Sequence, residues 1–293
     1  MDQNDNIIYG SIGYTILENI DNKHKVIIFA DMHDTLDNCY NNTNIVNWLN
    51  SKFNTSQILL EEVPRENINI KELWSKSPHT QMLKNLYLQN YEKINAIDIR
   101  PYYIPFSWEI NNNNDETLMS YIKNIDDFFL CKEHYIQNKI KNYNNILKKN
   151  KKLNKHFNVL LRNYKKFIFK YRKILCTKLN DLKDIYLILN NEINNLLDSI
   201  MEWYTIFNII ISLDKPVIIH AGLYHTELII KLLIINYGYK NIHNYGTNKL
   251  IEIKHKLNGC VLLKKKYSNQ FGGYQYLKKY YKYFNKINNL NNY

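Results

Sequence analysis

Short runs of uninterrupted apolar residues recur along the first hundred positions, and polar side chains follow each run at once. Residues 26–30 form the clearest run, and residues 58–60 and 96–99 form two shorter ones. Continuous β-branched runs of this length are typical of strands buried on both faces, as in parallel sheets. Residues 44–53, between the first two runs, carry apolar side chains at helical spacing. The alternation predicts an α/β fold, with a mainly parallel sheet flanked by helices.

The middle of the chain has a different pattern. From residue 115 to about 211 the apolar spacing is helical, and within it residues 138–183 are rich in Lys and Arg. After Pro216 the strand pattern returns at residues 217–219, with later candidate strands at 250–253 and 260–263. We therefore predict a first half of the α/β core at 1–114, a large basic helical insertion at 115–200, and a second half at 201–270. A basic, aromatic tail would occupy 271–293.

Composition and charge narrow the function only slightly. The net charge is +12, which would suit nucleic acid, anionic membranes or acidic partners. However, Lys, Asn, Ile and Tyr are common in almost every segment, as expected of an AT-rich genome, such as that of a large DNA virus. Codon bias therefore favours a solvated Lys-rich helical face over a nucleic-acid site.

The sequence gives only weak indications of cellular location. The N-terminus lacks the basic and apolar regions of a signal peptide, and no apolar run reaches the roughly 18 residues of a membrane span. The four cysteines form no CxxC pair, so we expect reduced thiols in a cytoplasmic protein that is not secreted. The sequence does not indicate an oligomeric state.

Three polar clusters follow predicted strands. They are residues 31–35, the pair Glu61 and Glu62, and residues 220–226. Ligands of open α/β sheets bind outside the carboxyl ends of the strands, so acids and imidazoles at these places suit acid–base catalysis or metal binding. Taken singly, each cluster also has a structural explanation. His33 could cap the following helix or turn, the segment from Gly222 to His225 could be a tight strand-to-helix turn, and the pair Glu61 and Glu62 is better explained alone as the solvated start of a loop. His220 is predicted to be structural, because alternation points it away from His225, and no role is predicted for the remaining histidines.

The order of these motifs resembles the superfamily of Tiki proteases, TraB-like proteins, erythromycin esterases and ChaN-like proteins. The matching stretches are Ala30-Asp31-Met32-His33, Ile58-Leu59-Leu60-Glu61 and Gly222-Leu223-Tyr224-His225. The resemblance covers roughly residues 24–105 and 198–240, and it excludes the basic block and the tail. Ala30 stands where the first motif usually has Gly.

The resemblance implies a hydrolase of peptidase or esterase type acting on an unidentified peptide or small molecule. It implies His33, Glu61 and His225 as the catalytic residues and as ligands of a divalent metal (Mn, Co, Zn or Fe), if a metal is used. His33 or Glu61 would activate water, and His225 would bind the ion or stabilise the oxyanion. Arg100 would be a supporting residue that orients a substrate carboxylate or oxyanion.

Two alternatives remain open. Asp31-Met32-His33-Asp34-Thr35 approaches the DxDGT signature of haloacid-dehalogenase-like phosphatases, with Asp31 as the nucleophile. The second alternative is a catalytically impaired binding protein whose basic insertion holds nucleic acid through phosphates and through Tyr164, Phe167, Phe169 and Tyr171.

Overall fold

A computed structural model of the protein describes residues 6–34, 36–37, 39–40, 42–64, 78–104, 116–130, 132–253 and 258–271. The chain forms two compact units. Of the described residues, the first unit contains those in 6–64, 78–96 and 208–271, and the second contains those in 97–207. The helical insertion predicted at 115–200 falls within the range 97–207 of the second unit. Thr35 and the predicted tail from residue 272 onward lie outside the described residues.

The first unit is built on a six-stranded mixed sheet with the order β6-β5-β7-β3-β2-β8. The strands are β2 (Gly13–Asn19), β3 (Lys25–Asp31), β5 (Gln57–Leu60), β6 (Ile94–Ala96), β7 (Val217–Gly222) and β8 (Tyr239–Gly246). Strands β6, β5, β7 and β3 run parallel, and β2 is antiparallel to both β3 and β8. The predicted α/β fold with a mainly parallel sheet is confirmed.

Helices pack against both faces of this sheet. Successive residues of a strand point to opposite faces, so each central strand contributes side chains to both. Ile27 and Phe29 of β3 lie in one buried cluster with side chains of α1 (Ile45–Asn50) and α2 (Pro78–Gln89). Helix α9 (Leu223–Tyr237) instead contacts β2, β3, β7 and β8. Apolar residues on both sides of each central strand are therefore buried, which explains the continuous apolar runs in the sequence.

A second sheet in the same unit has the order β4-β1-β9. It consists of β1 (Asn6–Tyr9), β4 (Thr43–Asn44) and β9 (Cys260–Leu263). A disulfide joins Cys39 to Cys260, so the prediction of reduced thiols is wrong for these two cysteines. The bond ties the segment that follows β3 to β9. The short helix α10 (Lys265–Ser268) comes after β9.

The second unit is helical. Its helices are α3 (Leu118–Tyr121), α4 (Lys123–Phe129), α5 (Tyr135–Lys139), α6 (Tyr143–Lys149), α7 (Lys151–Tyr171) and the part of α8 (Tyr186–Ile211) that ends at Phe207. Aromatic side chains fill its interior, where Trp203 contacts the rings of Phe128, Phe157 and Phe207. Among the described residues, no helix combines the length and apolarity needed to cross a bilayer.

Some local predictions need correction. Residues 250–253 form a 3-10 turn at Leu250–Glu252 and not a strand, and β6 begins two residues earlier than the predicted 96–99. The strand at 260–263 is present, but it belongs to the small sheet. Strands β1, β2 and β8 were not predicted at all.

Candidate functional site

The site lies at the carboxyl ends of β3, β5 and β7, where the sheet presents its polar clusters. Asp31 and Gly222 end β3 and β7 and are partners in the parallel register. Glu61 directly follows β5, and its backbone N–H donates to the carbonyl of His220 at 3.0 Å. Three segments that are remote in the sequence therefore meet at one sheet edge, as expected of parallel strands.

Glu61 lies between the two motif histidines. Its Oε2 accepts a hydrogen bond from the backbone N–H of Gly222 at 2.6 Å and lies 3.4 Å from Nε2 of His33. Its Oε1 lies 3.7 Å from Nε2 of His225. The side chains of Glu61 and His225 are only 8% exposed, whereas His33 is 39% exposed. Thus the structure brings His33, Glu61 and His225 together, with His33 the most accessible to solvent.

The buried carboxylate of Asp31 contacts the ring of His33. Its Oδ2 lies 3.1 Å from Nδ1 of His33, and its Oδ1 is 2.8 Å from Nε2 of His79 on α2. Both Asp31 and His79 are completely buried. His33 itself has a φ of 54°, a left-handed conformation that is uncommon and costly for a residue other than glycine. The strained turn and the Asp31 contact together direct Nε2 of His33 towards Glu61.

The two carboxylates set the charge of His33. Burial alone would lower the pKa of this imidazole, but hydrogen bonds with Asp31 and Glu61 raise it to about 10. Burial would likewise raise the pKa of Asp31, yet hydrogen bonds from His33 and His79 hold it well below its usual range. At neutral pH, therefore, His33 is an imidazolium and Asp31 is a carboxylate.

Gly222 is required by the closeness of the site. A Cβ at this position would lie 2.9 Å from Nε2 of His33 and 3.2 Å from Oε2 of Glu61. Any larger residue at position 222 would displace His33 and Glu61. The glycine at this position is therefore explained by space and not by its backbone conformation.

The altered residue of the first motif is accommodated. The methyl group of Ala30 is buried in a small apolar cluster with Ile12, Leu36 and Leu223. The imidazole of His220, the register partner of Phe29, has its Nε2 2.8 Å from the carbonyl of Gly10. Burial lowers the pKa of His220, which suits a neutral, structural imidazole.

Arg100 is tied to acidic partners in the second unit. Its Nε donates to Asp98 at 2.7 Å and its Nη1 donates to Asp198 at 2.8 Å. Two carboxylates therefore already neutralise this guanidinium. Its supporting role in the reaction stays a prediction.

The donor atoms have the right chemistry for a divalent metal but not the arrangement. Imidazole and carboxylate suit Mn, Fe, Co and Zn, and Nε2 of His33, Nε2 of His225 and the Glu61 carboxylate face one another. Among the described residues, however, no group of three His, Cys, Asp or Glu side chains is placed to hold an ion. Instead, Glu61 Oε2 already receives the Gly222 N–H. A metal would therefore require the three side chains to rearrange.

Sequence reasoning missed the supporting residues of this site. From the sequence, Asp31 is predicted as a member of the polar cluster 31–35 and, in the phosphatase alternative, as the nucleophile, and no role is predicted for His79. The position of Asp31 at the end of a buried strand could have indicated its contact with His33. His79 carries no comparable signal, because it follows no strand and belongs to no motif.

Comparisons with protein-family models, curated proteins and solved structures found no match to this chain. The resemblance to the Tiki, TraB, erythromycin esterase and ChaN-like superfamily therefore depends on the three short motifs alone.

Proposed function

We propose that the protein is a hydrolase of peptidase or esterase type and a divergent relative of the Tiki and erythromycin esterase superfamily. The observation that carries the proposal is the meeting of His33, Glu61 and His225 at the carboxyl ends of neighbouring strands. A carboxylate between two imidazoles provides both a base and proton donors within a few ångströms. The match of motif order supports the same conclusion.

Glu61 is the base in this proposal. Its Oε1 and Nε2 of His225 are 3.7 Å apart, a separation at which one water molecule can hydrogen-bond both atoms. Glu61 would take a proton from that water as the water attacks a carbonyl carbon. His225 would orient the water.

His33 is the electrophilic group. Its imidazolium is the most exposed of the three side chains and is held in place by Asp31. A fixed positive charge beside the reacting carbonyl stabilises the oxyanion of the tetrahedral intermediate. The same imidazolium can then donate a proton to the leaving group.

The buried position of Asp31 disfavours the phosphatase alternative. A phosphatase nucleophile must reach the substrate phosphorus, yet Asp31 is 0% exposed and its two oxygens face His33 and His79. Asp31 is better explained as the residue that orients His33.

Turnover of two substrate panels tests the proposal, one of activated esters and one of fluorogenic peptides. We expect the wild-type chain to hydrolyse members of one panel, and Glu61→Gln and His33→Ala each to reduce kcat by about 10² to 10⁴. Loss of turnover on addition of a chelator would indicate the divalent metal that the resemblance implies. Glu18→Gln is the matched control, because Glu18 pairs with Lys25 at the opposite end of β3. Unchanged activity in both site variants, or no turnover by the wild type, would contradict the proposal.

A further inference from the structure

The net positive charge of the protein comes from one segment. Residues 134–180 contain 14 of the 39 Lys and Arg residues and none of the 27 Asp and Glu residues. The rest of the chain therefore carries 25 basic residues against 27 acidic ones, a slight negative excess. Codon bias raises Lys everywhere, so it does not explain why the acids avoid this segment.

Helix α7 arranges these cations on one side. It has 21 residues and is therefore about 30 Å long. Its buried face carries Leu153, Phe157, Leu160, Tyr164, Phe167 and Tyr171. At 100° per residue, its basic side chains fall within an arc of about 140° on the opposite face. We call this face the basic stripe, which consists of Lys151, Lys152, Lys155, Arg162, Lys165, Lys166 and Lys170.

Few acids neutralise the basic stripe. Within the described part of the chain, Lys170 is the one member with a carboxylate partner, Glu192 on α8. The other six side chains form no ion pair with a described residue. The like charges of this row repel one another. A polyanion bound along the helix would relieve that repulsion.

Groups suited to nucleobases lie within and beside the basic stripe. Phe169 lies within its arc and is 66% exposed, and the guanidinium of Arg172 lies 4.0 Å from the centre of its ring. Beside the stripe, a cleft of about 260 Å³ lies between α7 and α8, where the amide side chains of Asn163 and Asn195 contribute to its lining. Aromatic rings and guanidinium planes stack on unpaired bases, and amides hydrogen-bond to their edges.

We propose that the basic stripe binds single-stranded nucleic acid. The phosphates would lie along the Lys and Arg side chains, one base would stack on Phe169 and another would enter the cleft between α7 and α8. An anionic membrane fits less well, because a membrane-surface helix must present its apolar face to lipid and the apolar face of α7 is buried. Three of the four aromatic residues predicted to stack, Tyr164, Phe167 and Tyr171, are core residues, which leaves Phe169 for that role.

Fluorescence anisotropy on the full chain tests this proposal. The probes are a labelled oligothymidylate of about 20 nucleotides, the same length of oligouridylate and a duplex. The test variant is K155Q/R162Q/K166Q, at the centre of the basic stripe. The matched control is K123Q/K231Q/K249Q, which removes the same charge from exposed positions elsewhere. Phe169→Ala tests stacking separately.

We expect salt-dependent binding of the single strands. Loss of three phosphate contacts should reduce the slope of log K against log salt by about 2, which is about 100-fold in affinity at roughly 0.1 M salt. The control variant should change the affinity much less. Phe169→Ala should weaken binding of the single strands about tenfold and leave binding of the duplex unchanged. The proposal is overturned if no probe binds, if the control loses as much affinity as the test variant, if duplex binds as tightly and Phe169→Ala has no effect, or if phosphatidylserine vesicles bind in preference to the oligonucleotides.

Discussion

Gly222→Ala should separate the chemistry of the site from the stability of the fold. The added Cβ would lie 2.9 Å from Nε2 of His33 and 3.2 Å from Oε2 of Glu61. Ordinary contacts of a Cβ begin near 3.4 Å, so the His33 ring must move by about half an ångström. The ring can do so without disturbing the core, because it is the end of a side chain that is 39% exposed.

The expected consequence is a loss of rate with little loss of stability. A displacement of about 1 Å in a reacting group costs up to about 100-fold in rate, so for about half that displacement we expect kcat to fall by about 10-fold. The free energy of unfolding should fall by less than about 1 kcal/mol, as for changes that leave the core intact. Both are measurable on one preparation, by turnover of the best ester or peptide substrate and by denaturant titration.

Gly13→Ala is the contrasting variant. A Cβ at Gly13 would lie 2.1 Å from the backbone oxygen of Thr247. Thr247 follows β8, and its backbone N–H donates to the carbonyl of Ile12 at 2.9 Å, so this backbone atom cannot move aside cheaply. This variant should therefore lose more stability than Gly222→Ala. If Gly222→Ala instead keeps full turnover while folding normally, the close approach of His33 to Gly222 has no role in the reaction and the proposed geometry is wrong.

Three further outcomes follow from the surroundings of the site. His79→Leu should lower kcat with little change in KM. His79→Gln should restore kcat, because of the two replacements only Gln can still donate a hydrogen bond to Asp31. Equal activity of the two variants would exclude a positioning role for His79. Cys39→Ser should lower the free energy of unfolding by roughly 2–5 kcal/mol, since the bond to Cys260 closes a long loop, as denaturation with and without reductant can show. The pair of Asp31 and His33 should make the protein most stable between about pH 4 and 6.5. The contribution of Asp31 is lost as pH falls below its unfolded pKa of 3.8, and that of His33 is lost as pH rises from 6.5 towards about 10; a stability profile that is flat from pH 6 to 10 would contradict the raised pKa of His33.

The central strands could be predicted from the sequence because both of their faces are buried. Continuous apolar runs mark β3, β5 and β7, and the polar residues after them mark the site. Strand β8 gave no such signal, since most of its residues are exposed or half-buried and it pairs at the sheet edge. The disulfide was also beyond prediction, because the Cys39–Cys260 pair spans 221 residues and is created only by the folded sheet.

The site was predictable to the extent that it follows the strand ends. His33, Glu61 and His225 each come just after a buried strand, and parallel strands place such residues at a common edge. The charge of His33 was not predictable, because it depends on the distances to Asp31 and Glu61. The roles proposed from sequence left the base open between His33 and Glu61, and the imidazolium state of His33 favours Glu61.

Histidine titration by NMR, on the wild type and on Glu61→Gln, tests most directly whether the three groups act together. The wild-type His33 ring should titrate with a pKa of about 10. Glu61→Gln should lower that pKa, because one of the two raising carboxylates is gone, and it should also shift the ring resonances of His225. A His33 ring that titrates near 6.5 in both proteins, with His225 resonances unmoved by the substitution, would show that the three side chains do not share one site.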